Sequence, residues 1–484
     1  MHKGSKGLPG GAGADGPSSP AAVLLRAIAA EAIAGCEPGA AVGRAVRAGA
    51  EKLVIAGHTI DLRGAGRLLV IAYGKAAPGM VEGLRARIAE AGGRRIVRGI
   101  LIAPAGGGSG AGRAGGPGGA AGRRFRMTRL TGDHPVPQRA SFATARRALR
   151  HASSAVGADD VIYLASGGGS ALMAAPLPPF MTPAGKTLLH RLLLVSGAPI
   201  GTINAVRKHL SAVKGGRLAA AARRARSQTT LVLCDVDPER FEEVASGPSL
   251  PDRTRLDDLV LAIDRYGFAP ALPARALEGL RLGAIPETPK PRDPIFRHSR
   301  AALVLSNRDL RSLAVRSGLA RDLSSEAVPS DLAGPVAESV ERVARAIESA
   351  PPGTRLLVLG GEVLTTPSGT GIGGRAQELA LRLALRMAGL GSRPWAFLAL
   401  GSDGIDGNSP AAGAFVDQTT LERAREARLD PARAIRESDS YRFFSRLGDA
   451  VVTGPTGTNV RDLYLLMTGE VRKEFGALPR PFNP

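Results

Sequence analysis

The chain has 484 residues, which is too long for one hydrophobic core, so two or three domains are expected. Its formal net charge of +21 is compatible with nucleic-acid binding, but the basic residues are dispersed and only 4% of the residues are aromatic, which disfavours stacking on bases. No apolar stretch has the length of a membrane span. Cys36 and Cys234 lack a metal-binding spacing, so we expect reduced thiols in a cytoplasmic protein.

The first segments of the chain differ in composition. Residues 1–20 are rich in Gly, Pro and Ser, and we expect them to be disordered. The apolar stretch that follows is interrupted by Arg26 and Glu31, and it predicts helical structure to about Ala56 rather than a secretion signal. Short aliphatic runs bounded by glycine then alternate with helical patterns, which is typical of strands buried on both faces in an α/β fold. Five such runs end in loops of small or acidic residues, within residues 67–77, 161–173, 231–239, 355–362 and 396–407.

Two breaks interrupt this alternation. Residues 105–124 are basic, rich in glycine and low in complexity, so we interpret them as a flexible surface insertion. Residues 283–294 contain four prolines, and a predicted strand at 301–307 restarts the alternation. We therefore predict an N-terminal domain over residues 21–288 and a C-terminal domain over residues 289–484.

The loops after the five runs carry residues suited to ligand binding. Ligands bind beyond the carboxyl ends of the strands in open α/β sheets, so we expect the five loops to meet at one edge. One basic group, several carboxylates and bare glycine backbone suit a phosphorylated ligand and a metal ion. The residues expected there are Lys75, residues 166–170, Asp235, Glu362, Asp403 and Asp406.

Residues 166–170, with the sequence SGGGS, form the clearest candidate anion site. Three glycines let backbone N–H groups approach an anion ahead of a predicted helix, whereas a tight turn would need only one glycine. Lys75 follows a strand and is placed for a phosphate or a carboxylate, the alternative being an exposed surface lysine. Arg375 follows a glycine loop and suits bidentate binding of the same groups, the alternative being a solvated side chain.

Other patterns carry weaker signals. A basic segment with helical periodicity predicts either an anion site or a solvated basic face. Its polar members are Asn204, Arg207, Lys208, His209 and Lys214. Residues 185–187 resemble the end of a Walker A loop, but the pattern fails because its first glycine would fall at Phe180. His134 has no accompanying Ser/His/Asp order that would support nucleophilic catalysis.

Taken together, these segments and their neighbours resemble the class II glycerate kinases, whose C-terminal part is the MOFRL domain family. The similar segments run in order from about residue 20 to about residue 465, which argues against chance agreement. They are GKAAPGM (74–80), TGDHPVP (131–137), SGGGSALM (166–173), TINAVRKHLSAVKGGRLA (202–219), ASGPS (245–249), GGE (360–362), GGRAQELAL (373–381), DGIDG (403–407) and SYRFF to TGPTGTNVRDL (440–463).

The resemblance implies ATP-dependent phosphorylation of D-glycerate, with 2-phosphoglycerate as the product and Mg²⁺ assisting. It also implies an N-terminal Rossmann-like layered α/β domain and a C-terminal α/β domain of MOFRL type, with the active site in the cleft between them. Lys75 falls on the lysine of the family's GKAA motif, and Arg375 falls on the arginine of its GGRNQE motif. Some relatives have been labelled hydroxypyruvate reductases.

The residues and the resemblance together give three sets of expected site residues. Lys75, Arg375 and Asp403 are the catalytic candidates, with Asp403 as the acceptor of the hydroxyl proton. Asp235 and Asp406 are the expected magnesium contacts, mostly through water. The candidates for binding substrate or phosphate are Ser166, Gly167, Gly168, Gly169, Ser170, Asn204, Arg207, Lys208, Lys214, Glu362, Gly373 and Gly374, of which Arg207 and Lys208 are the candidates for the substrate carboxylate.

The sequence departs from the family pattern at three places. Ala376 replaces an asparagine, residues 234–243 lack a Gly-Asp pair, and Ala411 replaces an aspartate. Asp235 or Asp237 would therefore have to supply a lost metal contact.

Three other functions stay open on the sequence. They are hydroxypyruvate reduction, for which we find no nicotinamide fingerprint, non-catalytic phosphosugar binding, and nucleic-acid binding, which we do not expect. We expect glycerate and ATP as small-molecule partners and no membrane partner, and a homodimer is left open.

Overall fold

The computed structural model describes residues 19–105, 124–389 and 393–469. The predicted tail over residues 1–20 and the predicted insertion over residues 105–124 lie almost entirely outside these ranges. The described residues form two compact units. The N-terminal unit contains Cys36–Asp309 and Gly457–Val460, and the C-terminal unit contains the described residues up to Gly35 together with Leu310–Thr456 and the chain from Arg461 onward.

The chain begins with two helices and a small antiparallel sheet. Helix α1 (Pro20–Gly35) packs against the sheet of the C-terminal unit, whereas helix α2 (Pro38–Ala45) lies in the N-terminal unit. Strands β1 (Val46–Gly49), β2 (Lys52–Ile55) and β3 (His58–Asp61) then pair as an antiparallel meander. The prediction of helix to about Ala56 was therefore wrong beyond Ala45, because Leu53, Ile55 and Ile60 alternate with exposed or half-buried neighbours at the period of a strand.

A six-stranded parallel sheet forms the centre of the N-terminal unit. Its strands are β4 (Leu68–Tyr73), β5 (Val97–Ala103), β6 (Phe125–Thr131), β7 (Asp160–Ala165), β8 (Ser227–Leu233) and β9 (Ser299–Leu305). Their order in the sheet is β6-β5-β4-β7-β8-β9, the Rossmann order, and every neighbouring pair is parallel. Strands β4, β7 and β8 are buried along their whole length. The mainly apolar sequences of β4 and β7 predict this burial, whereas β8 begins with four polar residues.

Helices cover this sheet and build the rest of the N-terminal unit. They are α3 (Ala77–Ala91), α4 (Arg139–Ser153), α5 (Gly169–Leu172), α6 (Pro183–Val195), α7 (Ile200–His209), α8 (Arg217–Ala221), α9 (Leu256–Tyr266) and α10 (Ala274–Arg281), with 3₁₀ segments at Pro238–Ser246, Ala269–Ala271 and Pro294–Phe296. One buried apolar cluster lies against the sheet, and a second forms among α6, α7, α9 and α10.

The C-terminal unit contains a mixed seven-stranded sheet. Its strands are β10 (Ser324–Ala327), β11 (Leu332–Pro335), β12 (Arg355–Leu364), β13 (Trp395–Gly401), β14 (Gly413–Asp417), β15 (Ala450–Val451) and β16 (Asp462–Thr468). Strand β16 lies between β12 and β13 and is antiparallel to both, so the carboxyl ends of β12 and β13 share one edge with the first residue of β16. The helices, which lie around a core of buried apolar residues, are α11 (Asn307–Leu319), α12 (Val336–Glu348), α13 (Arg375–Arg386), α14 (Thr420–Glu426), α15 (Pro431–Arg436) and α16 (Ser440–Leu447).

The predicted α/β class with two domains is confirmed, but two details differ. The units separate after Asp309 rather than at the prolines of residues 283–294, because β9 pairs with β8 and completes the N-terminal sheet. The five loops do not share one edge, since the first three runs lie in the N-terminal sheet and the last two in the C-terminal sheet. No helix in the described ranges is both long and apolar enough to span a bilayer.

Candidate active site

The strand order reverses between β4 and β7, and the loops that leave these two strands are in direct contact. Strands β5 and β6 lie on one side of β4, and β7, β8 and β9 lie on the other, which makes this the switch point where ligands bind in such sheets. The Ser166 N–H donates to Tyr73 O at 3.0 Å, and the Lys75 N–H donates to Gly167 O at 2.8 Å. Gly74 has φ 119°, and a Cβ there would lie 2.2 Å from Ser166 Oγ, so only glycine permits this contact.

Three functional side chains lie against the bare backbone of the glycine loop. A Cβ on Gly167 would lie 2.0 Å from Asp235 Oδ2. A Cβ on Gly168 would lie 3.2 Å from Lys75 Cγ and 3.6 Å from His134 Nε2. The structure therefore brings together the predicted loop, the predicted lysine and the predicted carboxylate.

His134 is a site residue that the sequence reasoning set aside. Its sequence pattern gives no support for a Ser/His/Asp triad, but the structure places its ring beside Lys75 and Gly168. The sequence feature that could have identified His134 as a site residue is its position in TGDHPVP, one of the segments that carry the family resemblance.

The two serines of the loop have structural partners. Ser166 is buried, and its hydroxyl donates to Tyr73 O at 3.4 Å and accepts from the Ala76 N–H at 3.2 Å. The Ser170 hydroxyl shares a 2.8 Å hydrogen bond with that of Ser246, which also donates to Asn204 Oδ1 at 3.0 Å. The side chains of Ser166 and Asn204 therefore hold the loop and its neighbouring turn in place through hydrogen bonds within the fold.

The turn that receives Ser170 has an unusual backbone. Ala245 and Ser246 have φ values of 53° and 61°, in the left-handed region, and Gly247 follows at 58°. Such a conformation costs about 1–3 kcal/mol for each non-glycine residue and concentrates at functional sites. The hydrogen bond from Asn204 Nδ2 to Glu243 Oε2 at 3.1 Å helps to hold this turn in place.

Lys208, one of the two predicted contacts for the substrate carboxylate, is engaged within the fold. Its ammonium is buried and forms an ion pair with Asp252 at 2.9 Å. Although burial favours the neutral acid, the Lys208 charge lowers the pKa of Asp252 below its usual value. His209 is likewise engaged, since its Nε2 lies 2.7 Å from Glu287 Oε1. Lys208 is therefore already neutralised within the fold, whereas Arg207 has no such pair with any residue in the described ranges.

The C-terminal unit gathers its predicted site residues around Arg375. The guanidinium Nε and Nη2 donate to the two oxygens of Asp462 at 2.7 and 2.9 Å, and Nη1 lies 2.8 Å from Glu362 Oε1. Asp462 is the first residue of β16 and pairs in register with Gly361 and Gly401. Asp462 was missed from the sequence, although it lies in the matching segment that ends at residue 463.

The carboxylates around Arg375 affect one another. Burial raises the pKa of Glu362; Arg375 opposes this effect, and the nearby Asp462 and Asp403 add to it. Asp403 Oδ1 accepts from the Ile405 N–H at 3.2 Å and would lie 3.4 Å from a Cβ on Gly401. This edge of the sheet thus places the Arg375 guanidinium among the carboxylates of Glu362, Asp403 and Asp462.

Asp406 caps a helix instead of facing a ligand. Its oxygens accept hydrogen bonds from the Ala376 N–H at 3.1 Å, the Gln377 N–H at 2.9 Å and Gln377 Nε2 at 3.0 Å. Burial raises the pKa of Asp406 to about 6. A Cβ on Gly374 would lie 2.2 Å from Asp406 Oδ1, so this glycine allows α13 to begin against the carboxylate.

Gly373 also serves the start of α13. Its N–H donates to Asn408 Oδ1 at 2.8 Å, and its carbonyl accepts from the Asn408 N–H at 3.1 Å. Gly373, Gly374 and Asp406 therefore position Arg375 through the backbone of its helix.

Comparison with known proteins identifies the relatives of this chain. Residues 24–281 match a domain of unknown function, DUF4147, and residues 355–462 match the MOFRL family. A D-glycerate 2-kinase from Thermotoga maritima is 34% identical over 334 residues, which cover 69% of this chain and 78% of the relative. The chain belongs to the glycerate kinase family. The resemblance inferred from the sequence motifs is therefore confirmed.

Two further matches extend over most of the chain. The crystal structure of a glycerate kinase from Thermotoga maritima matches with a TM-score of 0.73 at 28% identity, and covers 93% of this chain and 100% of that structure. A protein from Agrobacterium vitis that carries a provisional name as a hydroxypyruvate reductase is 35% identical over 430 residues, covering 87% of this chain and 92% of the relative.

The predicted metal contacts of this glycerate kinase family member differ in their suitability for Mg²⁺. Within the described ranges, no group of three or more His, Cys, Asp or Glu side chains is placed to hold a metal ion. Mg²⁺ usually binds through one or two carboxylates together with substrate phosphates. Asp235, against the glycine loop, suits that mode, whereas Asp406 does not, because both its oxygens already accept hydrogen bonds from the start of α13.

Proposed function

We propose that this protein transfers the γ-phosphoryl group of ATP to the 2-hydroxyl of D-glycerate, giving 2-phosphoglycerate and ADP. The observation that carries this proposal is the glycine loop at the switch point, flanked by a lysine and a carboxylate, in a chain whose relatives include a D-glycerate 2-kinase. Phosphoryl transfer depends mainly on alignment and charge neutralisation, which this loop is suited to provide.

In the N-terminal unit, the glycine loop and Lys75 act on phosphate. The bare backbone at Gly167 and Gly168 admits phosphate oxygens that a side chain would exclude, and the Lys75 ammonium neutralises their charge. Asp235 would hold Mg²⁺, which would neutralise further charge on the phosphates.

In the C-terminal unit, Arg375 is assigned to the transferring phosphoryl group and Asp403 to the substrate hydroxyl. Asp462 and Glu362 fix the plane of the Arg375 guanidinium, so little side-chain freedom is lost when an anion binds. In the reaction, the 2-hydroxyl oxygen forms a bond to the γ-phosphorus, the bond from that phosphorus to the bridging oxygen breaks, and the proton passes to the Asp403 carboxylate.

The test is a steady-state assay of ADP release with ATP, Mg²⁺ and D-glycerate. We expect Lys75→Ala and Arg375→Ala each to lower kcat by about 10²–10³, the effect of removing one group that stabilises the transition state. Lys52→Ala in β2 and Arg386→Ala at the far end of α13 are matched controls, and they should stay close to wild type. Near-normal kcat in both test variants would show that the assigned roles are wrong.

Two further measurements separate the alternatives. Phosphorus and proton NMR of the product should place the phosphate on carbon 2 of glycerate. The name of the Agrobacterium vitis relative points to hydroxypyruvate reduction instead, which would appear as NADH consumption at 340 nm without coupling enzymes. NADH consumption without ADP release would overturn the kinase assignment, and the absence of both would favour a non-catalytic phosphosugar-binding protein.

We also place the protein in the cytoplasm. Cys36 and Cys234 are both buried free thiols, which supports a reducing compartment. Burial also raises the pKa of Cys36 to about 12, so this thiol is inert as a nucleophile.

A further inference from the structure

Four basic side chains of the N-terminal unit form a group that we call the buried cation cluster. Its members are Lys186 and His190 on α6, Arg207 on α7, and Lys214 in the loop before α8. Lys186 and Lys214 are fully buried, His190 is 1% exposed, and Arg207 is partly exposed. The charges are close enough to act on one another, since Arg207 and Lys186 each contribute to lowering the pKa of His190 and of Lys214, in addition to burial.

No carboxylate in the described part of the N-terminal unit forms an ion pair with any member of the cluster. Buried charges are normally paired, because transfer from water without a partner is strongly unfavourable. The neighbouring residues follow this rule, since Lys208 pairs with Asp252 and His209 with Glu287. The unpaired cluster thus lies directly beside two basic side chains, Lys208 and His209, that each have a carboxylate partner.

Two polar atoms of the cluster are also unsatisfied. His190 Nδ1 donates to Lys186 O at 3.1 Å, which leaves Nε2 buried with no hydrogen-bond partner among the described residues. Arg207 Nε is likewise buried and has none there. Most buried polar atoms in proteins have at least one partner, so the orphan donor Arg207 Nε points to a missing acceptor. His190 Nε2 would donate to the same acceptor once the imidazole is protonated, which a bound anion favours.

A purely structural role accounts for only part of the cluster. Lys186 Nζ donates to Arg207 O at 3.3 Å and Leu210 O at 3.0 Å, and thereby caps the carboxyl end of α7. Lys214 Nζ reaches Met173 O and Ala245 O only at 3.4 Å, which is long for a hydrogen bond. Neither contact satisfies His190 Nε2 or Arg207 Nε, and neither explains why four basic side chains lie together.

We propose that the buried cation cluster binds a compact oxyanion, a carboxylate or a phosphate group, with Arg207 as the direct contact. Arg207 is the member that reaches the surface, while Lys186 and Lys214 lie behind it and supply positive potential when they are protonated. His190 can join them once an anion favours protonation of its ring. Lys214 Nζ approaches Met173, which ends α5, and Ala245, in the turn that binds Ser170. The cluster therefore lies behind the glycine loop, and the identification of its occupant as a substrate group depends on the proposed function.

The test is isothermal titration calorimetry on the full chain with three separate probes: D-glycerate, inorganic phosphate and ADP. We expect Arg207→Met to weaken binding of the occupying oxyanion at least tenfold. The matched control is Arg191→Met, which removes the same charge from an exposed position next to His190 and should leave all three affinities unchanged. Loss confined to glycerate assigns the carboxylate, and loss confined to phosphate and ADP assigns a phosphate group.

Equal affinities of wild type and Arg207→Met for all three probes would overturn the proposal. His190→Gln, which keeps a polar side chain but cannot become cationic, is the second variant and should weaken the same probe by a smaller factor. These titrations do not require turnover, so they remain decisive if wild type releases no ADP. If wild type is an active kinase and Arg207→Met leaves KM for both glycerate and ATP unchanged, the cluster assignment fails while the proposed function stands.

Discussion

Arg375 in the C-terminal unit and Arg207 in the N-terminal unit are both partly buried guanidinium groups, but their surroundings are opposite. Arg375 is held by Asp462 and Glu362, and although burial opposes its charge, Asp462 raises its pKa above the usual value. Arg207 has no carboxylate partner among the described residues, and burial lowers its pKa to about 10. One group is charge-compensated by the fold, and the other is not.

This difference indicates what each arginine can do for an anion. Arg375 is oriented in advance, but its charge is already shared with two carboxylates, so its strength lies in geometry. Arg207 carries an uncompensated field that other cations reinforce, so an arriving oxyanion removes an existing electrostatic penalty as it binds. Substitution of an ion-paired residue should therefore lower the stability of the protein, whereas substitution of the unpaired Arg207 should mainly lower its affinity for an anion.

The largest effect on stability is expected at Lys208, next to Arg207 in sequence. Lys208→Met leaves the Asp252 carboxylate buried without its cation, which costs about 3–5 kcal/mol of unfolding free energy. Arg207→Met removes no ion pair with a described residue and leaves no buried carboxylate without its cation, so it should cost much less than Lys208→Met. Urea denaturation of the two variants measures the difference.

One result of the denaturation experiment would contradict the expected difference between Lys208 and Arg207. If Arg207→Met is as destabilising as Lys208→Met, then Arg207 has a structural partner, and the comparison with Arg375 loses its basis. Lys208→Arg, which keeps the charge, should recover part of the stability lost in Lys208→Met.

A smaller loss is expected when Arg375 loses one of its two carboxylates. Asp462→Asn keeps the shape of the side chain but removes the charged acceptor of two hydrogen bonds from Arg375 and one from Tyr464, which costs about 2 kcal/mol of stability. The less firmly oriented Arg375 should also lower kcat at least tenfold in the ADP-release assay. The control is Glu437→Gln, which weakens the exposed pair with Arg433 and should change stability by less than about 0.5 kcal/mol. Unchanged kcat in Asp462→Asn would argue against orientation of Arg375 by this carboxylate.

The negative charge of Asp406 is stabilised by backbone N–H groups at the start of α13 rather than by a cation. Asp406→Ala removes the acceptor at the start of α13 and should cost about 1.5 kcal/mol, within the range for loss of a helix cap. The concentration of Mg²⁺ that gives half-maximal kinase activity should not change. A large increase in that concentration with unchanged stability would restore the role of Asp406 as a metal contact.

The parts of the fold that follow from local pattern were predictable from the sequence. The buried strands β4 and β7 are mainly apolar runs of six residues, and such runs predict parallel strands with few alternatives. In β8 only residues 231–233 form an aliphatic run. The short strands β1 and β2 were harder to predict, because Val46–Gly49 and Lys52–Ile55 have only four residues each and follow directly on helical sequence.

The candidate site also has parts that were predictable from the sequence and parts that were not. Lys75 and residues 166–170 were predictable because chain order places each loop directly after a strand, and parallel strands align those loops. The carboxylates that pair with the basic side chains were not predictable, because they are distant from them in the sequence. Asp462 lies 87 residues from Arg375, and Asp252 lies 44 residues from Lys208. Lys186 was considered only as part of a failed Walker A pattern, and its burial in a cationic group depends on packing that no local motif encodes.

The smallest effect is a pH dependence of oxyanion affinity at the buried cation cluster. Burial and the neighbouring charges of Arg207 and Arg217 lower the pKa of Lys186 to about 7, and burial with Lys186, Arg207 and Lys214 lowers that of His190. A bound anion favours the protonated lysine, so binding above pH 7 must take up a proton. The affinity should therefore fall as pH rises from 7 to 9, by up to about tenfold, or 1.4 kcal/mol, for each pH unit and proton. Titrations in buffers of different ionisation enthalpy measure this uptake directly, and Lys186→Met should reduce both the uptake and the slope. A wild-type affinity that stays constant across this range would mean that the bound anion does not interact with the Lys186 charge.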